Sequence, residues 1–406
     1  MELLSNTSQF FSALLVFMTG MIIAGVFNKL FQVSPARFLL LYVWHTIFCI
    51  VFANYVLNNG GDALMYYTVG VRGTNDFSLG TAAVKITSIF FVHVLGLSFL
   101  STFLAFNVMG FIGLLAVDAS LRVATENKSK YIRGLATVIV FLPSISFWTS
   151  GIGKDAIAFM ASGFALWAAL NLKRRWWLMV PAVVMMLLIR PHVGAIMVMA
   201  LGGSVLLERK VPLSQRLMLG AVAVAASAVM VPLALNYAGV GENASADDVA
   251  SYIENRQQYN TQGGGGIDIA SMSPPMQLFA YLFRPLPIEA RSAFALAASV
   301  DNIILLFLFI AGGRQILKRR KLDLPGNRPF MWIFSLMTWG ILAVTTANLG
   351  ISLRQKWMFA PMLIFLLISL IGKNKQEQQP AKKLDRILRF TRRTNPVLPT
   401  PPITKS

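Results

Sequence analysis

Long apolar runs separated by short polar segments dominate the chain. A helix that crosses a bilayer needs about 20 mostly apolar residues, within a range of roughly 17–25, and most of these runs reach or approach that length. The pattern therefore predicts an all-α, polytopic membrane protein with about eleven transmembrane helices. The predicted spans cover residues 10–30, 38–57, 101–121, 134–151, 155–172, 176–190, 193–208, 216–236, 293–312, 329–350 and 356–372.

One further apolar segment, residues 86–98, is short for a span and lies directly before the third predicted helix. The loops on either side, 58–85 and 122–133, are predicted to face opposite sides of the membrane, so an odd number of crossings must separate them. We therefore expect 86–98 to be a juxtamembrane or re-entrant helix. The alternative is that 86–121 forms one long tilted or broken helix.

Basic residues are concentrated in a subset of the loops. The chain has 36 Lys and Arg against 17 Asp and Glu, a net charge of +19. Of the 36, 27 fall on one side if the N-terminus is outside and the C-terminus is cytoplasmic, as the positive-inside rule requires. Topology thus explains most of the excess, and nucleic acid is not an expected partner. The basic tail, residues 373–406, is expected to bind anionic lipids.

Composition agrees with this interpretation. Hydrophobic residues make up 56% of the chain and charged residues 13%, whereas a soluble domain has roughly 45–50% and roughly 25%. An ordinary soluble enzyme, a disordered protein and a coiled coil are excluded. The N-terminus lacks the basic stretch of a signal peptide, so we expect the first apolar run to be a permanent span. The single cysteine, Cys49, allows no intramolecular disulfide.

The predicted domain organisation is one polytopic membrane domain, residues 1–372, followed by the tail. Within this domain the external loop 237–292 is long, and loops of this length are usually functional or disordered. Its aromatic segment, 276–285, is interpreted as an interfacial helix lying on the membrane. A mobile lid over a lipid-linked substrate is our hypothesis for this loop.

The first external loop carries a candidate acid/base group. Two glycines precede Asp62, and Tyr66 and Tyr67 follow one turn later. The glycines let the backbone turn sharply, which places a carboxylate beside two aromatic rings at the membrane surface. A carboxylate can accept a proton from a sugar hydroxyl, so Asp62 is the candidate catalytic base and the tyrosines are candidate substrate-binding residues. An ordinary turn with interfacial tyrosines is the alternative.

Several other basic residues are predicted to lie outside, contrary to the positive-inside rule. Each lies in backbone interrupted by Gly or Pro, and irregular backbone at membrane depth persists only where it is buried or lines a cavity. Because guanidinium groups suit phosphate, we interpret the set as an anion site, with interfacial snorkelling as the alternative. The candidates are Arg190 and His192 for catalysis, and Lys154, Asp155, Arg284 and Arg354 for substrate binding; Lys356 breaks the rule as well.

The remaining polar residues inside predicted spans receive plainer interpretations. Asp118, near a cytoplasmic span end, is expected to snorkel to solvent, and Asp301 lies in a polar context. His45 and His93 are expected to be membrane histidines with satisfied hydrogen bonds. Three scattered histidines do not indicate a metal site, so no metal or other cofactor is expected.

The motifs have a family resemblance. An acid followed by Tyr-Tyr in an external loop resembles the GT-C superfamily of polyprenyl-phosphate-dependent glycosyltransferases, in which an external acid is the catalytic base. Multi-pass proteins of bacterial polysaccharide gene clusters, the EpsG- or Wzy-like repeat-unit polymerases, are similar through scattered short strings over roughly residues 50–370. These strings are Pro143-Ser-x-x-Phe-Trp-x-Ser-Gly-x-x-Lys-Asp155, Arg190-Pro-His192, Leu282-Phe-Arg-Pro-Leu-Pro-x-Glu-Ala290 and Asn348-x-Gly-x-x-x-Arg-Gln355.

The resemblance implies a glycosyltransferase or polymerase of the bacterial inner membrane. It would act on undecaprenyl-(pyro)phosphate-linked saccharides at the periplasmic face, in exopolysaccharide, capsule or O-antigen assembly, with polysaccharide export or chain-length proteins as partners. Asp62 would deprotonate the acceptor hydroxyl, and the basic residues would bind the leaving phosphate. The alternatives are a GT-C transferase that adds a single sugar, a flippase or transporter of lipid-linked oligosaccharides, and a non-catalytic assembly scaffold.

Overall fold

The computed structural model describes residues 2–207, 246–261, 265–318 and 326–372, together with the isolated positions 214 and 221. Within these residues the protein is helical and contains no β-strand, apart from a single bridge between Gly266 and Asn348. The predicted all-α class is therefore confirmed. The predicted span 216–236 and the basic tail 373–406 lie outside the described residues, as does the anionic-lipid contact predicted for the tail.

Sixteen α-helices occupy the described ranges, and we number them in chain order. A π-helical turn, Phe90–Val94, follows α4, and 3₁₀ turns are formed by Pro287–Glu289 and Lys356–Met358. The helices are α1 Thr7–Phe31, α2 Pro35–Asn59, α3 Asp62–Arg72, α4 Ala82–Ile89, α5 Phe99–Thr125, α6 Lys130–Val140, α7 Pro143–Thr149, α8 Lys154–Ala169, α9 Leu172–Ile189, α10 Pro191–Leu207, α11 Ala246–Thr261, α12 Pro274–Phe283, α13 Ala293–Leu317, α14 Arg328–Thr345, α15 Leu349–Gln355 and α16 Ala360–Leu370.

Several of these helices have the length and composition of membrane spans. Among the described residues, five are long and apolar enough to cross a bilayer, or six if the bent pair of α15 and α16 counts as one span. The chain bends by 68° between the two helices of this pair. This is the character of a polytopic membrane protein, while the eleven spans and the orientation remain predictions. The five are Thr7–Phe31, Pro35–Asn59, Phe99–Thr125, Lys130–Thr149 (α6 with α7) and Phe294–Leu317.

The segment before α5 forms a helix of its own. Residues 82–94 are helical, the chain is irregular at 95–98, and α5 begins at Phe99 with Ser98 as its N-cap. The side chain of Ser98 accepts a hydrogen bond from the backbone N–H of Ser101, which satisfies one of the free donors of a helix start. The predicted short helix at 86–98 is thus separate from the span that follows it.

Helix α5 lies at the centre of the bundle. Its most apolar stretch is 89% buried, whereas the corresponding stretch of α1 is 17% buried and faces outward. It approaches α8 closely at two glycines, because a Cβ on Gly113 would lie 2.8 Å from the Met160 Cα and one on Gly163 would lie 2.6 Å from the Gly113 carbonyl oxygen. Small residues permit such close contacts between membrane helices.

The aromatic segment of the long loop forms a helix that packs partly against the bundle. This helix is α12, and its second half, Ala280–Phe283, is buried. The indole N–H of Trp339 in α14 donates to the Leu278 carbonyl oxygen at 3.1 Å. A helix is therefore present where the sequence predicts one, with part of its aromatic face packed on protein, and its interfacial position remains a prediction.

Two expectations for polar residues in spans are wrong. Asp118 does not snorkel: it is fully buried and ion-paired with Arg37 and Arg122. His45 is fully buried, yet neither of its ring nitrogens has a hydrogen-bond partner among the described residues. His93 is exposed. The burial and the partners of Asp118 and His45 depend on neighbouring helices, and the sequence of a single span does not identify those neighbours.

Candidate functional site

A sharp turn after α2 presents Asp62. Helix α2 ends at Asn59, and Gly60 and Gly61 follow with φ angles of +74° and +116°. Residues with a side chain avoid these angles, so the turn requires glycine. Helix α3 then begins with Asp62, where the helix dipole favours a negative charge. The carboxylate side chain remains 60% exposed.

A second break, between α7 and α8, presents two more charges. Helix α7 ends at Thr149, and Gly153 adopts φ +154° immediately before α8. Lys154 and Asp155 are the first two residues of α8 and are both half-buried. The irregular polar segment between Thr149 and Lys154 therefore separates α7 from α8 and places the start of α8 at the site.

A third element, α15, brings in Arg354. The side chain of Asn348 caps this helix by accepting from the backbone N–H of Ile351 at 3.2 Å. Arg354 lies in the last turn, so its guanidinium stands on a short, capped helix. The bend between α15 and α16 leaves α15 at the mouth of the bundle.

These three elements enclose one cavity of about 310 Å³. Ligand sites in proteins commonly have volumes of about 300–1,000 Å³. The polar lining includes Asp62, Tyr66, Lys154, Asp155 and Arg354, all of which were predicted site residues. Segments almost 300 positions apart in the chain thus converge on a single pocket.

Ion pairs connect the charges of the cavity into a chain. Arg354 Nη2 lies 3.2 Å from Asp62 Oδ2, and Arg354 Nε lies 3.8 Å from Asp155 Oδ2. The other oxygen of Asp155 accepts from Arg190 Nη2 at 2.9 Å. A second carboxylate therefore stands across Arg354 from Asp62, and each acid is compensated by guanidinium groups.

Lys154 is the cation of this cluster whose charge is most sensitive to pH. It precedes the predicted span 155–172. Burial lowers the pKa of Lys154 to about 8, and the positive charge of Arg190 acts in the same direction, while the Asp155 and Asp62 carboxylates partly oppose them. At neutral pH the ammonium form still predominates, so Lys154 can bind an anion there.

Arg190 supports the cavity from behind Asp155. It lies in the break between α9 and α10, where Pro191 starts the next helix and disfavours helical geometry at the preceding residue, and its φ and ψ are −137° and 75°. Its side chain is 12% exposed, and its Nε has no hydrogen-bond partner among the described residues. His192 is close enough to Arg190, Arg256 and Lys154 to feel all three positive charges.

Four predicted site residues do not line the cavity: Arg190 and His192, which lie behind it, and Tyr67 and Arg284, which have other partners. Tyr67 packs edge-on against Phe99, with ring centroids 5.2 Å apart. Arg284 is ion-paired with Glu289 at 2.9 Å. Although burial acts in the opposite direction, the hydrogen bonds from Arg284 and from the Leu286 backbone N–H lower the pKa of Glu289, so this acid holds Arg284 firmly. Their predicted roles in substrate binding remain predictions.

Other residues of the site were not predicted from the sequence. Tyr55, Trp148 and Asn348 line the cavity, and the last two belong to the motifs quoted above, which is the signal that could have found them. Tyr281 is buried close enough to Arg190 and Asp155 to feel their charges, and its hydroxyl has no hydrogen-bond partner among the described residues. Its burial comes from the packing of α12, for which the sequence has no local signal.

The long loop 237–292, which is predicted to be external, is tied to the rim of the cavity through some of its described residues. The Leu349 backbone N–H donates to the Gly265 carbonyl oxygen and the Ile267 backbone N–H to that of Ala347, both at 2.9 Å. Gln257 of α11 donates to the Val344 carbonyl oxygen at 2.8 Å. Residues 265–267 therefore lie beside the Asn348 side of the cavity, and the lid remains a prediction.

Known proteins do not identify this cavity. Comparisons with protein-family models, curated proteins and solved structures find no match to the chain. Its function must therefore be argued from the geometry. Among the described residues, no group of three or more His, Cys, Asp and Glu side chains is arranged to hold a metal ion, and the expectation of a metal-independent reaction remains a prediction.

Proposed function

We propose that this protein is a membrane glycosyltransferase of the polysaccharide-polymerase kind. Its substrate would be a saccharide linked to undecaprenyl phosphate or pyrophosphate, held at the external face of a bacterial inner membrane. The observation that carries the proposal is the cavity itself, in which two carboxylates and two cations, Lys154 and Arg354, share one polar space at a helix end. Transfer from a phosphate-linked sugar needs both an acid/base group and cations for the leaving phosphate.

Asp62 is the group best placed to act as the base. It is the most exposed acid of the cluster, so an acceptor hydroxyl can reach it from the cavity mouth. In the proposed reaction the hydroxyl loses its proton to Asp62 and its oxygen bonds to the anomeric carbon. The bond from that carbon to the phosphate oxygen breaks, and the phosphate keeps the electron pair.

The cations would stabilise the departing phosphate. Arg354 and Lys154 face the cavity, and Arg190 stands behind Asp155 with a donor to spare. Fixed charges directed at the position where negative charge develops are usually the largest contribution to such catalysis. Tyr66, which lines the same cavity, would position the sugar.

The position of the cavity fits a substrate anchored in a membrane. Helix α2 ends beside the cavity at Asn59, and its other end carries Arg37, which is bound to the buried Asp118. The rise of an α-helix makes these two residues about 33 Å apart, close to the hydrocarbon thickness of about 30 Å. The two charged ends of α2 are thus spaced to lie at opposite membrane faces.

The proposal is tested by Asp62→Asn and Arg190→Ala in the native host, with surface glycan examined on gels. General-base catalysis contributes typically about 10²–10⁴-fold, so we expect Asp62→Asn to abolish polymer and leave single repeat units on the carrier. Glu254→Gln is the control, since this acid is exposed on α11 and does not line the cavity. Arg291→Ala is the control for Arg190, as an exposed arginine of the long loop 237–292.

Each rival function predicts a different glycan. Loss of a transferase that adds a single sugar leaves long chains without a branch, and loss of a flippase leaves repeat units stranded on the cytoplasmic side. If both substitutions leave the glycan unchanged while the protein accumulates normally, the catalytic proposal is wrong.

A further inference from the structure

A second cavity lies at the opposite end of α2 from the candidate site. Its volume is about 320 Å³. Its lining includes the three arginines Arg37, Arg122 and Arg133, the hydroxyl residue Thr137, and the buried acid Asp118. With Glu126 also at the wall, three guanidinium groups face two carboxylates, so the cavity has a net positive charge.

The arginines are held in place by the protein. Arg37 donates from Nε and Nη2 to one oxygen of Asp118, at 2.9 and 2.6 Å. Arg122 donates from Nε to the other oxygen at 3.1 Å, and from Nη2 to the Phe31 carbonyl oxygen at 2.8 Å. Because Asp118 is fully buried, this pairing fixes both guanidinium groups against the bundle.

The fixed arginines keep donors available. A guanidinium has five N–H donors, so Arg37 and Arg122 have ten between them. Besides the four hydrogen bonds given above, Arg37 donates one to Thr137. These five bonds use only part of the ten donors. Arg133 is exposed at the edge of the cavity. Bidentate arginines in a preformed cavity are the arrangement that binds phosphate groups best.

Apolar surface adjoins the charged cavity. On α2, Leu40 lies one turn beyond Arg37 and is 60% exposed, and on α6, Val138 lies beside Thr137 and is 51% exposed. The ligand that fits this combination has an anionic phosphate head and a hydrocarbon chain. A free phosphate would use the arginines alone.

We propose that the cavity bounded by Arg37, Arg122 and Arg133 binds the phosphate headgroup of an anionic membrane lipid, at the membrane face opposite to the candidate catalytic site. The site differs from the basic tail, because it is built by three packed helices, α2, α5 and α6. It does not depend on the proposed glycosyltransferase activity.

The test uses the purified full-length protein and short-chain lipids. Binding of dihexanoyl-phosphatidylglycerol, dihexanoyl-phosphatidylcholine and inorganic phosphate is measured by calorimetry on wild type, Arg133→Gln and Arg174→Gln. Arg133 has no bond to Asp118, so its removal spares the buried ion pairs, and Arg174 is an equally exposed arginine away from the cavity. Equal melting temperatures of the two variants confirm that both are folded.

We expect phosphatidylglycerol to bind more tightly than phosphatidylcholine. Arg133→Gln should weaken it by roughly tenfold, the loss of one charge-assisted contact, while Arg174→Gln leaves it unchanged. The proposal is overturned if the two variants weaken binding equally, which indicates general surface charge, or if phosphatidylcholine binds as well. It is also overturned if inorganic phosphate binds as tightly as the lipid, which indicates a soluble anion.

Discussion

Arg354 and Lys356 are two residues apart, yet they belong to two very different charged regions. Arg354 belongs to a set of charged residues that line or adjoin the cavity of the candidate site. We call Asp62, Lys154, Asp155, Arg190 and Arg354 the outer cluster. Lys356 is fully buried and donates to Asn302 Oδ1 at 2.5 Å, close to the carboxyl group of Asp301. Asp301, also fully buried, accepts a hydrogen bond from Ser144. We call Ser144, Asp301, Asn302 and Lys356 the sealed network.

The difference between the two regions lies in their access to solvent and ligand. Ionisable residues inside a membrane are expensive and are functional hypotheses by default, and each region has at least one such residue in a predicted span: Asp155 in the outer cluster, and Asp301 and Lys356 in the sealed network. The sealed network joins α7, α13 and the turn after α15, and its hydrogen bonds are made inside the protein, while one carboxylate oxygen of Asp301 has no hydrogen-bond partner among the described residues. The outer cluster has a cavity, exposed carboxylate and a spare arginine donor. A charge in a predicted span identifies a candidate functional residue. A cavity beside that charge indicates a binding role, whereas burial without a cavity indicates a structural one.

The strongest test of this contrast is Lys356→Met. Lys356 Nζ donates to Asn302, and its charge compensates the nearby Asp301 carboxyl group. Leaving a buried charge without its compensating partner costs about 3–5 kcal/mol. We expect a clear loss of yield and melting temperature for the purified protein. Arg354→Met should melt close to wild type, since cavity water can solvate its partners. In the double variant Asp301→Asn/Lys356→Met part of the loss should be recovered, and a Lys356→Met protein as stable as wild type would contradict the contrast.

A second test is Asp155→Asn, which removes the carboxylate shared by Arg190 and Arg354. The side chain is 16% exposed, so two guanidinium groups lose their partner in a partly hydrated place. We expect a loss of about 1–3 kcal/mol in the free energy of unfolding, measured by thermal unfolding, together with loss of polymer. A cost equal to that of Lys356→Met would make the outer cluster as structural as the sealed network.

A third test is Arg354→Lys, which keeps the charge and removes the planar fork. Arg354 reaches Asp62 and Asp155 at once, and an ammonium cannot reproduce that geometry. We expect binding of undecaprenyl phosphate to weaken by the equivalent of one charged hydrogen bond, about 1.5 kcal/mol or roughly tenfold. The melting temperature should stay unchanged. Affinity equal to wild type would show that the charge alone matters.

The smallest expected effect is a pH dependence carried by Lys154. Because its pKa is lowered to about 8, its ammonium form is present at pH 7 and is lost as the pH rises toward 9. Binding of undecaprenyl phosphate should therefore weaken several-fold over this interval, as the cation that faces the anion disappears. Arg stays charged throughout, so Lys154→Arg should flatten the profile. Identical profiles for the two proteins would assign the titration to another group.

Much of the candidate site could be predicted from the sequence. Asp62 followed a Gly-Gly turn, and Lys154, Arg190 and Arg354 were basic residues on the side where the positive-inside rule does not place them. The structure brings all four to one cluster. Arg284 met the same criteria but is held by Glu289, and Lys356 met them but is buried. The charge and the local backbone of a residue can be read from the sequence. Its ion-pair partner, however, depends on which other helix packs against it.

The hydrophobic pattern by itself determined the class of this protein, because the apolar length needed to cross a bilayer is a local property of the chain. It also located the breaks that end helices, since Gly and Pro act through their own backbone angles. Only the tertiary structure decided that the second half of α12, Ala280–Phe283, is buried and that Asp118 holds two arginines. The assembly of the site was also decided by the tertiary structure. Its ion pairs join residues from α3, α8 and α15, which are far apart in the chain, and the sequence alone does not show that they are in contact.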